Sequence, residues 1–120
     1  MQTAIKTTIE KYVEYLSSQN VDGLKNVLHP QFNVIQVSAD YKTLHIDLSQ
    51  YIKLIETNKA GGDIYQIDNL EIQYISSTAM ASYNLNGKQT SMHVFLLLVQ
   101  SGLDEWRIVS NAPVVTACPH

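Results

Sequence analysis

The chain has 120 residues, and its 8 lysines and arginines against 11 aspartates and glutamates give a net charge of −3. This length predicts one domain with a single hydrophobic core, which we place at residues 5–113, with residues 114–120 as a tail. The absence of a basic cluster argues against a nucleic-acid partner. The single cysteine, Cys118, excludes an internal disulfide and a zinc site built from cysteines.

The apolar residues of the chain show no membrane-spanning or targeting segment. The longest uninterrupted apolar run, residues 94–99, is far too short to cross a bilayer. Residues 1–4 lack the basic and apolar stretches of a signal peptide, so we expect a cytoplasmic protein without a membrane partner. Charged residues make up only 16% of the chain, and such a surface predicts an apolar patch that a partner covers.

The first part of the chain has helical periodicity. Apolar residues recur on one face of a helix over residues 5–16, and Thr3 is the candidate N-cap. A second, short helix begins at Val21. It is predicted to stop at His29-Pro30, because the residue before a proline is pushed out of the helical conformation.

Two strand-like runs follow, residues 32–37 and 41–46, and lead into a third helix. Asp47 is the predicted N-cap of this helix, and Gln50 three residues later completes a capping box. Gly61-Gly62 is predicted to end it, because glycine readily adopts the left-handed conformation that terminates helices.

After Gly62 the apolar period changes to two. Short connections force neighbouring strands to be antiparallel, and Asn86-Gly87 predicts a type I′ hairpin turn. The order of elements indicates an α+β fold: three N-terminal helices packed on a strongly curved antiparallel sheet, with an interior cavity. The late strand-like runs are residues 65–75, 78–85, 88–100 and 105–115.

Five short passages resemble a known superfamily in their order and spacing. They are residues 12–13, 20–24, 28–32, 95–98 and 105–109, the last containing Trp-Arg-Ile-Val. On these passages the chain resembles the NTF2-like superfamily, and within it the branches called putative lumazine-binding, SnoaL-like and ketosteroid-isomerase-like. The resemblance implies a cone-shaped, cystatin-like α+β fold with a cavity. It implies no particular chemistry, because this fold hosts isomerases, dehydratases, hydrolases, transport adaptors and binding proteins.

The resemblance to ketosteroid isomerase implies candidate site residues. Tyr12 falls at the place of the tyrosine that donates to the oxyanion, and Gln36 falls near the general-base aspartate. His93 falls near the second acid, and Trp106 belongs to the closing motif. We therefore expect Tyr12, Gln36, His93 and Trp106 to bind a ligand, with Tyr12 and His93 as the candidate catalytic residues. An amide cannot act as a base, so Gln36 argues against a ketosteroid-type isomerase.

Each of the two leading candidates has a purely structural alternative. Tyr12 lies on the apolar face of the first helix, where it is either a pocket hydroxyl or a core aromatic residue. His93 lies on the same strand face as Phe95, and either face of that strand fits the interior. It is therefore either a pocket acid or base or a structural core or surface histidine. The four histidines lack the spacing of metal ligands, so we expect neither a metal nor a cofactor.

Three functions are compatible with this pattern. The first is binding of a small, largely apolar or aromatic molecule in the cavity. The second is a homodimeric interaction module that pairs through its sheet, because residues 94–99 are apolar on both strand faces. The third is an isomerase, dehydratase or cyclase that uses His93 and Tyr12.

Overall fold

The structure is a computed structural model and describes residues 2–117 of the chain. This part of the chain contains three helices and six strands. The predicted α+β class is confirmed, but the third helix is not N-terminal, because two strands precede it. The helices are α1 (Gln2–Ser18), α2 (Val21–Val27) and α3 (Leu48–Glu56). The strands are β1 (Leu28–Val37), β2 (Thr43–Asp47), β3 (Gln66–Ile75), β4 (Thr78–Asn86), β5 (Ser91–Gly102) and β6 (Glu105–Ala117).

The six strands form one sheet in the order β2-β1-β6-β5-β4-β3. The four late strands are antiparallel neighbours, as predicted. β1, however, lies parallel to β6, so the sheet is mixed and the prediction of a wholly antiparallel sheet is wrong. The parallel pair joins the first strand of the chain to the last, and no short connecting loop signals such a pairing in the sequence.

The boundaries of the first two helices differ in detail from the predictions. α1 begins at Gln2, so Thr3 lies inside the helix and its predicted role as N-cap is wrong. α2 is capped by Asn20, whose side-chain oxygen accepts a hydrogen bond from the backbone N–H of Gly23 at 3.0 Å. It ends at Val27, close to the predicted stop at His29-Pro30.

The first strand begins earlier than predicted and contains a proline. β1 starts at Leu28 rather than Phe32, and Pro30 lies within it. The pairing of β1 with β6 changes register between Leu28 and Asn33, and its pairing with β2 begins only at Asn33. Pro30 therefore lies in an irregular stretch of β1, where regular strand pairing does not need a backbone N–H, which proline lacks.

The third helix has the predicted start and a different end. Asp47 Oδ1 accepts a hydrogen bond from the Gln50 backbone N–H at 2.8 Å, and Gln50 Oε1 accepts one from the Asp47 N–H at 2.9 Å. The predicted capping box is thus confirmed. The helix ends at Glu56 with Thr57 as its C-cap, so the predicted termination at Gly61-Gly62 is wrong.

Gly61-Gly62 instead docks the segment after α3 against the end of α1. Both glycines have positive φ, 72° and 81°, and the Gly62 N–H donates to the Leu16 carbonyl oxygen at 3.0 Å. A Cβ on Gly61 would lie 2.6 Å from that same carbonyl oxygen. The close approach therefore requires glycine at position 61.

The loop between β4 and β5 is not the predicted type I′ turn. Neither Asn86 nor Gly87 has a positive φ, and four residues separate the two strands. The Gly87 N–H donates to the Thr90 carbonyl at 3.0 Å. The Asp63 carboxylate then accepts hydrogen bonds from the backbone N–H groups of residues 88–90, at 3.1, 2.8 and 3.4 Å.

The helices cover one face of the sheet and leave the other face open. Along β5, Val94, Leu96 and Leu98 are buried, whereas Phe95 and Leu97 are 50% and 37% exposed. Bulges interrupt the β3–β4 and β5–β6 ladders, and bulges bend strands and increase their twist. A bent sheet leaves space between its inner face and the helices.

Two further observations concern the ends of the chain and its helices. β6 continues to Ala117, beyond the end that the sequence analysis gives to the core at Pro113. Cys118 and His120 lie outside the described residues. None of the helices between residues 2 and 117 is long and apolar enough to cross a membrane.

Candidate functional site

A cavity of about 520 Å³ lies between the inner face of the sheet and the helices α1 and α3. This volume lies in the range of sites that hold small organic molecules. Its walls are mainly aliphatic and come from both layers of the fold. The apolar lining residues are Leu16, Val34, Leu44, Ile46, Leu54, Ala60, Leu85, Met92, Val94 and Pro113.

Four polar side chains in the lining are buried. Tyr12 comes from α1, Tyr51 from α3, Tyr83 from β4 and Asn111 from β6. None of them is more than 7% exposed. We call these four residues the phenol–amide cluster, and it forms the deep end of the cavity.

The charged lining residues are more exposed than the phenol–amide cluster and mark the mouth of the cavity. They are Lys59, which is exposed, and Asp63, which is half-buried. The β4–β5 loop held by Asp63 contributes Gln89 and Thr90 to the same rim. The cavity therefore has a charged mouth and an uncharged polar floor.

Hydrogen bonds connect three members of the phenol–amide cluster. Asn111 Nδ2 donates to Tyr12 Oη at 2.7 Å, and the hydroxyls of Tyr12 and Tyr51 share a hydrogen bond of 2.7 Å. Tyr83 Oη and Asn111 Oδ1 are closed to solvent and have no partner among the described residues. Because buried polar groups are normally paired, the cluster has unused hydrogen-bonding capacity.

Local structure determines where each cluster residue points. Tyr12 lies on the buried stripe of α1 together with Ile9 and Leu16, which turns its side chain towards the sheet. The capping box sets the start of α3, and Tyr51 lies in its second turn, with its ring 5.1 Å from that of Phe32. Each helix thus delivers one hydroxyl to the same point.

The two strand residues of the cluster follow the alternation of the sheet. Tyr83 is paired with Val94, and both side chains line the cavity. Asn111 is paired with Leu96 on the neighbouring strand and has the same inward orientation. Alternation along β4 and β6 therefore places a phenol and an amide on the inner face.

The phenols of the cluster are neutral at physiological pH. Burial raises the pKa of Tyr12 to about 12, although hydrogen bonds with Tyr51 and Asn111 act in the opposite direction. Burial is also the first cause that raises the pKa values of Tyr51 and Tyr83 well above their ordinary value. The cluster can therefore donate hydrogen bonds but contains no group that accepts a proton near neutral pH.

The structure brings together only some of the residues predicted from the sequence. Tyr12 and Gln36 both line the cavity. Trp106 is 2% exposed in the core but does not line the cavity, and its Nε1 has no partner among the described residues.

His93 lies on the outer face of the sheet. Its neighbours along β5, Met92 and Val94, line the cavity, so the alternation of the strand turns His93 the other way. His93 Nδ1 is 2.7 Å from Asn84 Oδ1 on the paired strand, and its ring packs edge-on against Phe95 at 4.8 Å. The structure therefore separates His93 from Tyr12 by the thickness of the sheet.

Three residues of the cluster, Tyr51, Tyr83 and Asn111, were not among the site residues predicted from the sequence. Tyr51 lies on the apolar face of α3 and is buried there with Ile52 and Ile55, so its inward direction was readable although its role was not. Tyr83 is buried on the same strand face as Ala81 and Leu85, two residues away on either side, and this spacing is a period-two signal. Asn111 has no comparable signal, because a single asparagine in a strand is compatible with either face.

The described residues contain no group of three or more histidine, cysteine, aspartate or glutamate side chains placed to hold a metal ion. The polar atoms at the floor of the cavity are instead phenol and amide groups. These groups suit hydrogen bonding to an organic molecule.

Solved structures share this fold over almost their whole length. An NTF2-like protein from Cytophaga hutchinsonii has a TM-score of 0.82 at 14% identity, covering 97% of this chain and 98% of that one. A cystatin-like fold protein from Burkholderia xenovorans has a TM-score of 0.74 at 10% identity, with coverages of 98% and 92%. The CaMKII hub of S. rosetta has a TM-score of 0.77 at 12% identity, covering 95% of each chain. No curated protein matches the chain.

The helix-covered mixed sheet is the fold of solved proteins described as NTF2-like and cystatin-like, which confirms the fold that the resemblance in the sequence implied. Residues 1–112 match the family described as "Putative lumazine-binding", and the chain belongs to this family. The solved neighbours share its fold at 10–14% identity, which shows architecture and not activity.

Proposed function

We propose that this protein binds a small, largely apolar or aromatic molecule in its cavity. The phenol–amide cluster is the observation that carries the proposal, because it places phenol and amide groups in the lining of an otherwise largely apolar pocket. Ligand sites of this kind combine apolar walls with a few polar groups that fix orientation. The family description, which names lumazine, is consistent with a flat, polar-edged aromatic ligand.

The two ends of the cavity suggest how such a ligand lies. Its polar edge meets Tyr12 and Asn111 at the floor, and its flat faces contact aliphatic walls such as Val34 and Leu85. Gln36, half-buried on β1, is available to a second polar group along the ligand's length. The Lys59 end stays in contact with water.

Binding is a better proposal than an isomerase, dehydratase or cyclase that uses His93 and Tyr12. A general base must lie within hydrogen-bond reach of the proton that it removes, and His93 faces away from the cavity. Asp63 is the carboxylate among the described lining residues. Backbone hydrogen bonds, that of Gln89 first, lower its pKa, which makes it a weak base.

A binding assay with lumazine tests the proposal. Lumazine should raise the melting temperature of the wild-type protein, and the rise should grow with the logarithm of its concentration above the dissociation constant. The Tyr12→Phe variant should bind about tenfold more weakly, because it loses a hydrogen bond worth about 1–1.5 kcal/mol. The matched control is Tyr41→Phe, which removes a hydroxyl from a residue that is 91% exposed and outside the lining. Equal weakening by both substitutions, or no shift for lumazine or other flat aromatic probes at millimolar concentration, would contradict the proposal.

A second proposed function, compatible with the first, is homodimerisation through the outer face of the sheet. Met80, Phe95, Leu97 and Val114 are exposed there, and we call them the outer patch. Met80 on β4 is paired with Leu97 on β5. On the other side of β5, Phe95 is paired with Ala112 and His93 with Val114, both on β6. The patch is therefore continuous across three strands. The charged Glu71 and Arg107 lie towards its edges.

Self-association is the simplest way to cover such a patch. A two-fold contact needs only one self-complementary surface, and a standard interface buries about 1,200–2,000 Å² in total. The S. rosetta CaMKII hub has the same fold, which supports the proposal that this architecture is suited to assembly.

A further inference from the structure

We infer that Asn86-Gly87 is a site of covalent modification, where Asn86 deamidates when the β4–β5 loop opens, and that Asp63 controls the rate by holding this loop closed. The products are an aspartate and an isoaspartate at position 86. The reaction needs only the chain itself and water, so the inference is independent of ligand binding in the cavity.

The reaction joins the Asn86 side chain to the backbone nitrogen that follows it. The Gly87 nitrogen loses its proton and attacks Asn86 Cγ, the new N–C bond closes a succinimide ring, and the Cγ–Nδ2 bond breaks with release of ammonia. Water then opens the ring at either of its two carbonyl groups, which leaves aspartate or isoaspartate. Glycine obstructs this attack least, because it has no side chain. Asn86 is exposed, so water reaches the site.

The closed loop keeps the attacking nitrogen occupied. The Gly87 N–H donates to the Thr90 carbonyl oxygen at 3.0 Å, and this bond must break before the nitrogen can lose its proton and attack. The backbone of Asn86 is paired with Gln66 on β3 and with Ser91 on β5. Pairing on both sides restricts the rotation that ring closure requires. The site should therefore react slowly while the loop is closed.

Asp63 holds the loop closed although it lies outside it. Its carboxylate accepts hydrogen bonds from the backbone N–H groups of residues 88–90 at 3.1, 2.8 and 3.4 Å. Gly87 lies directly against this carboxylate, because a Cβ on Gly87 would overlap Asp63 Oδ2 and would lie 2.7 Å from the Thr90 carbonyl oxygen. Hydrogen bonds to an ionised acceptor are stronger than neutral ones. Their loss should open the loop and release the Gly87 N–H.

The products would change the mouth of the cavity. Asp63 and Thr90 line this mouth, and deamidation places a new carboxylate on the residue before Gly87, close to the Asp63 carboxylate. Like charges at short range repel each other. Isoaspartate also adds one carbon to the backbone ahead of Gly87, which displaces the turn that the Gly87–Thr90 bond closes. The modified loop should therefore be looser than the original one.

Peptide mapping by mass spectrometry tests the inference on the full chain after incubation in mildly alkaline buffer. Trypsin releases residues 60–88 as one peptide, in which Asn69 and Asn84 precede leucine and serve as internal controls. Asn86 should deamidate at least about tenfold more slowly in folded wild type than in urea-unfolded wild type, because several hydrogen bonds must first break.

Substitutions then test the role of Asp63. Folded Asp63→Ala should deamidate at Asn86 at least about tenfold faster than folded wild type. Asp68→Ala, at an exposed position in β3, is the matched control and should keep the wild-type rate. If Asp63→Ala does not fold, Asp63→Asn provides the comparison, and its rate should lie between those of folded and unfolded wild type.

Each part of the inference can fail separately. Equal rates in folded and unfolded wild type would overturn the protection by the closed loop. A wild-type rate in the folded Asp63 variant would overturn the role of Asp63. Deamidation of Asn84 as fast as that of Asn86, or no product even in unfolded wild type, would overturn the assignment of the site.

Discussion

Asn111 Nδ2 donates a hydrogen bond of 2.7 Å to the hydroxyl of Tyr12, a residue 99 positions earlier in the chain. This bond connects the last strand of the sheet to the first helix, and the Tyr12–Tyr51 bond extends the connection to the third helix. The floor of the cavity is therefore also a point at which three distant elements are joined. Substitutions there should affect both stability and binding.

Tyr12→Phe should lower the free energy of unfolding by about 1–3 kcal/mol, because it leaves Asn111 Nδ2 and the Tyr51 hydroxyl without their buried partner. Urea denaturation measures the change. The control Tyr41→Phe should lie within about 0.5 kcal/mol of wild type, as exposed substitutions usually do. Equal stability of the two variants would show that the buried network contributes nothing net.

Stability should fall at alkaline pH because of the buried phenols. The folded-state pKa of Tyr12 is about 12 against an ordinary 10.0, so the unfolded chain releases this proton first as the pH rises. The stabilisation is complete below pH 10 and is lost as the pH rises towards 12. Tyr12 alone should cost about 1.4 kcal/mol by pH 11.

Urea denaturation from pH 8 to pH 11 checks this expectation, with absorbance at 295 nm as a measure of phenol ionisation. The exposed Tyr41 provides an internal reference for an accessible phenol. The Tyr12→Phe variant should lose less stability over this range than wild type. A parallel loss in both proteins would contradict the assignment to Tyr12.

Asp63→Ala should loosen the β4–β5 loop at the mouth of the cavity. It removes the acceptor for the backbone N–H groups of residues 88–90, whose amides should exchange faster with deuterium. Asp63→Asn, which keeps one acceptor oxygen, should have a smaller effect. Asp68→Ala, at an exposed position in β3, is the control and should leave the loop unchanged.

The contribution of Asp63 should also depend on pH. The backbone N–H groups, that of Gln89 first, lower its pKa from 3.8, so the stabilisation is present above pH 3.8 and is lost as the pH falls through the lower folded-state value. The stability difference between wild type and Asp63→Ala should therefore be constant near neutral pH and disappear in acid. A difference that grows on acidification would contradict this mechanism.

Phe95→Glu should abolish dimer formation without unfolding the protein. A carboxylate at the centre of the outer patch would be desolvated in the proposed contact, whereas in the monomer it would face water. Sedimentation equilibrium should give a dimer for wild type and a monomer for the variant at micromolar concentration. Leu103→Glu, a charge at a 93% exposed turn position outside the patch, should remain dimeric. A monomeric wild-type protein would contradict the proposed interface.

Local patterns in the sequence predicted local structure well. The Asp47–Gln50 capping box appears with both hydrogen bonds, because its two partners lie three residues apart and need no tertiary contact. The antiparallel order of the late strands follows from their short connections. The Asn86-Gly87 turn failed because Asp63, distant in sequence, holds that loop in another conformation.

Long-range features were not readable in the same way. The parallel pairing of β1 with β6 depends on which strand edges meet, and no short segment determines this. The strand containing His93 is apolar on both faces, so alternation alone left its direction open until the helix-covered face was known. Asn111 is a single polar residue whose role depends on Tyr12, far away in the chain.

Gly61→Ala should destabilise the protein by more than the usual cost of replacing glycine in an unstrained conformation. Gly61 has a φ of 72°, and a Cβ there would lie 2.6 Å from the Leu16 carbonyl oxygen, which also accepts the Gly62 N–H. The left-handed backbone alone costs about 1 kcal/mol for alanine, and the clash must in addition push the segment away from α1. Gly102→Ala is the matched control, because its φ is not positive and its nearest neighbour is the flexible Glu105 carboxylate at 3.1 Å. Urea denaturation should show a loss of at least about 2 kcal/mol for Gly61→Ala and little change for Gly102→Ala, and similar losses in both would mean that the docking against Leu16 is not the cause.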